Sequence, residues 1–297
     1  DEVNSTLNFH PAIFILEYAL SKTLIDFGLV PKIVIGHSLG EYAAACISGV
    51  MSLADGLFLV IRRAQLASEL KSGAMLSVNL PESLLSPLIS GGELDLSLVN
   101  SSQRCTVSGP PEAINELKAY CETRDIDARV LPMSHAFHSS ALDPILDDFY
   151  AAVRQVKLSP PTIKLVSTVS GQAVSADEIC QAEYWVNHLR QTNRFSDGME
   201  TILKGADRLL CVEVGPGKVL TTLVRQHACW QQTHHIFSTI RHPQEDVDDL
   251  AALLRAVGQL WQRGIPIDWE ALPGNKNAHF ISLPTYPFER KPHWVDA

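Results

Sequence analysis

The stretch KIVIGHSLGEYAAA, Lys32 to Ala45, constrains the fold more than any other part of the chain. KIVI is a short apolar run of the kind that forms a buried strand, and EYAAACIS reads as a helix closed by Gly49. Between them Gly36, Ser38 and Gly40 form a G-x-S-x-G pattern, in which small flanking residues let the chain turn sharply and hold a serine hydroxyl outward. A strand feeding a helix this directly belongs to an α/β architecture.

The flanking segments extend that reading. PAIFILEYALSKTLIDFG predicts a helix with Pro11 in its first turn and Gly28 just past its end. SLADGLFLVIRRAQLASELKSG opens with Ser52 and Asp55 in capping-box spacing and predicts a helix running to Gly73. From Ala74 the period changes. AMLSVNL, PESLLSPLI, LDLSLVN, RCTVSG, PEAINELKAYCETR and ARVL read as βαββαβ, a ferredoxin-like unit spanning 74–135 and inserted into the larger α/β fold. IKLVSTV, RLLCVEVG and HIFSTI are then buried-strand candidates alternating with the helical segments LDPILDDFYAAVRQV and DLAALLRAVGQLWQRG, which favours a parallel sheet covered on both faces. After Trp269 the pattern fades into a Pro- and aromatic-rich tail, expected to run extended over the surface.

Composition narrows the function classes. The 297 residues contain no apolar run near the roughly 18–20 needed to span a bilayer, and a net charge of -9 disfavours nonspecific nucleic-acid binding. Six scattered cysteines without a CxxC pair read as buried reduced thiols and suggest no metal site. With no signal peptide visible, a cytoplasmic setting is expected. The chain starts at Asp1 inside what reads as a loop before a helix, so a segment upstream is expected.

The chemistry centres on Ser38, which needs a base. Of eleven histidines the best placed are His135 and His138 in MSHAFHSS, where the chain leaves the inserted unit, a natural lip for a cleft; composition does not choose between them. Arg63, 25 residues after Ser38, lies mid-helix. Alone it reads as a snorkelling surface arginine, and its functional alternative is a bidentate clamp for a carboxylate.

Together GHSLGEYAAA, Arg63, HAFHS, VEVGPGKVL and the terminal LPTYPFERKPHW resemble the acyltransferase domains of modular polyketide synthases, relatives of malonyl-CoA:acyl-carrier-protein transacylases, from about His10 to Trp294. The resemblance implies an α/β-hydrolase-like core (1–73 and 136–268), a ferredoxin-like subdomain (74–135) and a linker (269–297). It makes Ser38 the acylated nucleophile, His138 its base, and the Leu39 N–H an oxyanion donor. It makes Arg63 the carboxylate clamp, and His37, His135 and Phe137 pocket residues. In this family a main-chain carbonyl orients the histidine, and the VEVGPGK loop is the expected source. Malonyl-using members tend to carry HAFH and a branched apolar residue after the serine, so Phe137 and Leu39 imply malonyl-CoA as donor. The acceptor would be the phosphopantetheine of an acyl carrier protein, with an adjacent ketosynthase and its linker as further partners and no cofactor bound by the domain itself.

Two features depart from the family pattern. The Phe-Pro-Gly-Gln-Gly-x-Gln signature of the family's first strand, whose glutamine completes the oxyanion hole, is absent and is expected upstream of Asp1; His10 stands where relatives usually have Gln. A serine hydrolase clearing acyl groups from carrier proteins, or an inactive structural module of a synthase, are the rival readings.

Overall fold

The computed structural model describes residues 6–242, 244–273, 281–291 and 294. In chain order the elements are α1 (Thr6–Asp26), β1 (Ile33–Ile35), α2 (Gly40–Ile47), α3 (Leu53–Ser68), β2 (Ala74–Val78), α4 (Glu82–Ile89), β3 (Asp95–Ser101), β4 (Arg104–Gly109), α5 (Pro111–Glu122), β5 (Ala128–Val130), α6 (Leu146–Val153), β6 (Lys164–Val166), α7 (Ala176–Ile179), α8 (Ala182–Arg190), α9 (Phe195–Lys204), β7 (Leu210–Glu213), α10 (Val219–Arg225), β8 (His235–Ser238) and α11 (Asp249–Trp261).

The α/β class and the βαββαβ order are present. β2 to β5 form a four-stranded antiparallel sheet in the order β3-β4-β2-β5, the ferredoxin-like arrangement, with α4 and α5 packed against it. Its core of Leu76, Val78, Leu85, Val107 and Ile114 is separate from the larger one around Phe14, Tyr42, Leu59, Phe149 and Trp185. The expected single parallel sheet is instead two parallel pairs, β1 with β6 and β7 with β8. Among the described residues no strand bridges β1 and β7, and both strands are mostly half-buried.

Local capping follows the sequence in part. Ser52 accepts from the Asp55 N–H at 3.1 Å and donates to its carboxylate at 2.7 Å, yet α3 ends at Ser68 rather than Gly73. α1 starts at Thr6, so Pro11 lies inside it instead of in its first turn. Tertiary contacts account for the earlier start: Thr6 and His10 are buried, and the Thr6 hydroxyl meets His135 Nδ1 at 3.1 Å. Gly28, at φ +91°, closes α1 in the left-handed conformation glycine adopts without strain. The helix expected over LDPILDDFYAAVRQV divides into a 3₁₀ turn, Ser140–Ile145, and α6, with Pro144 at the tightened end. Where it is described, the tail packs on the body only at its start, where Leu272 meets the cluster of Leu24, Phe27 and Val257 and Trp269 stands edge-on to Trp261 at 5.4 Å between ring centroids; Ile281, Leu283, Tyr286, Phe288 and Trp294 are all strongly exposed. The rest of the predicted linker lies outside the described residues.

The small sheet is fastened to the core where it matters for chemistry. The loop between α8 and α9 docks on β3: Asn193 exchanges backbone hydrogen bonds with Ser97 and Val99 at 2.8 and 2.9 Å, and the Thr192 hydroxyl donates to the Leu96 carbonyl at 2.6 Å. On β4, the Ser108 hydroxyl donates to the Phe137 carbonyl at 2.8 Å. The inserted unit therefore holds two loops that meet over the elbow.

Candidate active site

Ser38 sits at the elbow with φ +51°, a left-handed conformation that costs a non-glycine residue about 1–3 kcal/mol and persists only when its surroundings impose it. They do. A Cβ on Gly36 would lie 2.1 Å from the Glu41 nitrogen, so only glycine lets β1 pass this close to the start of α2. A Cβ on Gly40 would meet nothing nearer than the Glu17 carboxyl at 3.6 Å. The two glycines of one motif thus differ in what they are for.

The Ser38 hydroxyl lies 2.6 Å from His138 Nε2, so of the two candidate bases the structure brings His138 to the serine. His138 Nδ1 lies 2.9 Å from the Gln191 carbonyl. A carbonyl only accepts, so Nδ1 carries the proton and Nε2 is the lone pair that faces Ser38. The orienting carbonyl is therefore Gln191 and not the VEVGPGK loop. That loop is occupied otherwise: Glu213 accepts from the Leu220 and Thr221 N–H groups at 3.0 and 2.7 Å, capping α10. Gln191 is in place because the residues after it are pinned to β3.

His138 is 1% exposed, and burial, followed by the nearby Arg63 and His188, holds its pKa well below the usual histidine value. It is neutral at pH 7, the state a base needs. The Leu39 N–H enters no backbone hydrogen bond among the described residues and stands at the first turn of α2, a position from which a free N–H is able to donate to an anion.

Arg63 is not a snorkelling surface residue. It is 1% exposed, with burial lowering its pKa, and its Nε and Nη1 are buried without a hydrogen-bond partner among the described residues. No carboxylate pairs with it among the described residues; its guanidinium lies 4.9 Å from the Phe137 ring centroid and 6.0 Å from that of Tyr42. A buried cation with two unused donors is primed for an anion that the protein does not itself supply.

The remaining predicted residues line the surroundings. Phe137 is buried beneath Arg63 and is flanked by His10, 5.0 Å away between ring centroids, and by His135 at 6.1 Å. His135 is occupied with Thr6 and Ser134, 3.1 and 3.0 Å from its Nδ1. His37 Nε2 lies 2.8 Å from Asn100 Oδ1, which ties the elbow to β3. Sequence reasoning missed Glu41 and His188. Glu41, fully buried behind the elbow, accepts from the Thr168 N–H at 2.9 Å and hydroxyl at 2.5 Å and from Tyr184, and burial raises its pKa. His188 packs against His138, ring centroids 6.1 Å apart, with Nε2 3.7 Å from Glu41. The position of Glu41 directly after the elbow was a usable signal; a main-chain carbonyl such as that of Gln191 offers none. Among the described residues no group of three metal-ligating side chains converges.

The acyl transferase domain family matches residues 1–265. A component of the phenolphthiocerol/phthiocerol polyketide synthase of Mycobacterium tuberculosis (strain CDC 1551 / Oshkosh) is 38% identical over 291 residues, 96% of this chain and 19% of that protein. The chain thus spans about a fifth of that relative's length. The acyltransferase domain of the second module of the salinomycin polyketide synthase superposes with a TM-score of 0.86 at 34% identity, covering 97% of this chain and 67% of that one. The acyl transferase domain of SpnD, solved in complex with 2-(pent-4-yn-1-yl)malonyl, gives 0.83 at 37% identity, with 88% and 63% covered. With its serine elbow, paired histidine and two-part α/β body, this chain belongs to the acyl transferase domain family and resembles the acyltransferase domains of polyketide synthases.

Proposed function

We propose that the chain loads a malonyl extender unit from malonyl-CoA onto the phosphopantetheine thiol of an acyl carrier protein, through an acyl-Ser38 intermediate. The observation that carries this reading is Arg63, a buried guanidinium with Nε and Nη1 unpaired, close enough to His138 to lower its pKa. An acyl group bearing a free carboxylate satisfies it, and one without leaves it desolvated and unpaired.

In the first half-reaction Ser38 Oγ attacks the thioester carbonyl while its proton passes to His138 Nε2. The tetrahedral oxyanion is held by the Leu39 N–H. The C–S bond breaks and the CoA thiolate leaves with the proton from His138. In the second half, the carrier thiol gives its proton to His138 and attacks the acyl-serine ester; the Ser38 alkoxide leaves and recovers that proton. The Gln191 carbonyl keeps the imidazole in one tautomer throughout. Phe137 and Leu39 set the malonyl preference, Phe137 crowding an α-methyl, an effect worth about 1–3 kcal/mol. That the SpnD domain holds an α-substituted malonyl supports the carboxylate-bearing class of acyl group for this fold.

On this reading the chain is one domain of a multidomain synthase. Residues 1–73 and 136–268 form its catalytic core, 74–135 its small subdomain and 269–297 a linker toward an adjacent ketosynthase, in a cytoplasmic setting. No described helix is long and apolar enough to cross a membrane. Intact-protein mass spectrometry after incubation with malonyl-, methylmalonyl- and acetyl-CoA tests the proposal. A malonyl adduct that dominates, vanishes in Ser38→Ala and moves to added carrier protein is expected; a label persisting on Ser38→Ala removes the nucleophile, and rapid loss to water without carrier protein makes the chain a hydrolase.

A further inference from the structure

Among the described residues, buried polar atoms without partners fall in two places. One set (His10, Glu17, Tyr42, Arg63, His188 and Asn193) lies in and around the Ser38 elbow and its flanking loops. The other comprises Thr221 Oγ1, both ring nitrogens of His234 and Arg263 Nε, and all three residues line one cavity of about 720 Å³ between α10, β8 and α11. Buried donors left unpaired in a folded protein call for an explanation, and clustering on one cavity suggests a ligand.

The charge there runs against that of the chain. Five Lys and Arg line the cavity (Lys218, Arg225, Arg241, Arg255 and Arg263) against two acids, Glu245 and Asp246, in a protein of net charge -9. Lys218 is paired with Glu245 and Arg241 with Asp249, which leaves Arg225, Arg255 and Arg263 without a carboxylate partner among the described residues, facing Asp246 alone. Arg225 donates to the Ile236 carbonyl at 3.2 Å and Arg263 to that of Gln259 at 3.0 Å, so each is anchored by a main-chain oxygen. Trp230 stands edge-on to His234, ring centroids 5.5 Å apart, and adds an aromatic wall. The half-buried His235 feels the same field, its pKa lowered by desolvation and then by Arg263 and Arg208.

The geometry points to a second binding site, separate from Ser38, that takes an organic phosphate of about nucleotide size. Guanidinium forks from α10 and α11, an imidazole and a hydroxyl supply many donors to a multiply charged group of oxygens, which suits phosphate. The volume lies within the roughly 300–1,000 Å³ of small-molecule sites and exceeds what a bare inorganic anion fills. Arg225 covers the Ile236 carbonyl, which disfavours an added peptide strand along β8.

Isothermal titration of the full chain with adenosine 3′,5′-bisphosphate, ATP and pyrophosphate tests this. One saturable site is expected, weakening with salt, unchanged in Ser38→Ala and weakened roughly 10- to 100-fold in Arg263→Gln. Arg255→Gln, at an exposed position that leaves the fold untouched, should weaken it in the same direction. A preference for the bisphosphate identifies the nucleotide end of a CoA ester as the source, and a preference for ATP a free nucleotide. No saturable heat to roughly 10 mM, undiminished binding by both arginine variants, or loss of binding in Arg63→Met, which would place the phosphate at the acyl site, overturns the assignment.

Discussion

Replacing Arg63 by methionine separates what the residue does for function from what it costs the fold. The guanidinium is 1% exposed, with two donors unpaired and no carboxylate paired with it among the described residues. Replacing even paired buried ions by apolar side chains of similar volume is often neutral or stabilising, by about 1–4 kcal/mol, and an unpaired cation has less to lose. Methionine fills the slot beside Phe137 and Tyr42 without a charge. Thermal unfolding of Arg63→Met should therefore be unchanged or rise, by about 1.6 °C for each kcal/mol gained. A substrate carboxylate meeting two guanidinium donors gains about 1.5–3 kcal/mol from each, about 3–6 kcal/mol in all. Loading of malonyl groups should then fall by roughly 10² to 10⁴, while acetyl loading, which never used those donors, holds or improves. The assay is single-turnover acylation of Ser38, followed by mass, with both donors on both proteins. A variant that unfolds several degrees earlier and loses malonyl and acetyl loading equally would refute the reasoning, because Arg63 would then be holding structure together.

Other consequences are open to measurement. Gly36→Ala should prevent stable folding or acylation, since its Cβ would lie 2.1 Å from the Glu41 nitrogen, whereas Gly40→Ala should fold with near-native stability; denaturant titration of the two variants compares them. His138 is held neutral by burial, so the acidic limb of the acylation rate should lie below the ordinary histidine pKa of 6.5, and a limb at or above it would contradict the geometry. Glu17 has its pKa raised by burial to about 8 from an ordinary 4.5. Between those values the folded state holds a proton that the unfolded chain has lost, so this carboxyl makes stability fall as pH rises through that window. Glu17→Gln, which mimics the protonated form, should flatten that slope in urea midpoints measured across it.

Short-range features were legible in the order of the residues. Gly36, Ser38 and Gly40 lie within five residues, and the strand, turn and helix they join are local conformations written in adjacent side chains. The switch of period at Ala74 marked the small unit for the same reason, because alternation and helical spacing are read within a dozen residues. Distant features were less so. Arg63 on its own helix carries no mark that separates a surface arginine from a buried one; only the packing of α1 and the 134–138 loop over α3 decides it. The choice between His135 and His138 turned on which ring brings its Nε2 to Ser38 once the 134–138 loop is clamped to β4.

The sequence by itself determined the strand–serine–helix elbow, the class of fold and the βαββαβ order of the small unit, since each follows from the order and spacing of neighbouring residues. Tertiary structure alone decided that the Gln191 carbonyl orients His138, that Glu41 and His188 stand behind it, and that the strands group as two parallel pairs. A backbone carbonyl is the same in every residue, so its role depends on where the chain places it. Here β3 of the inserted unit does the placing, across about a hundred residues of intervening chain between Leu96 and Thr192.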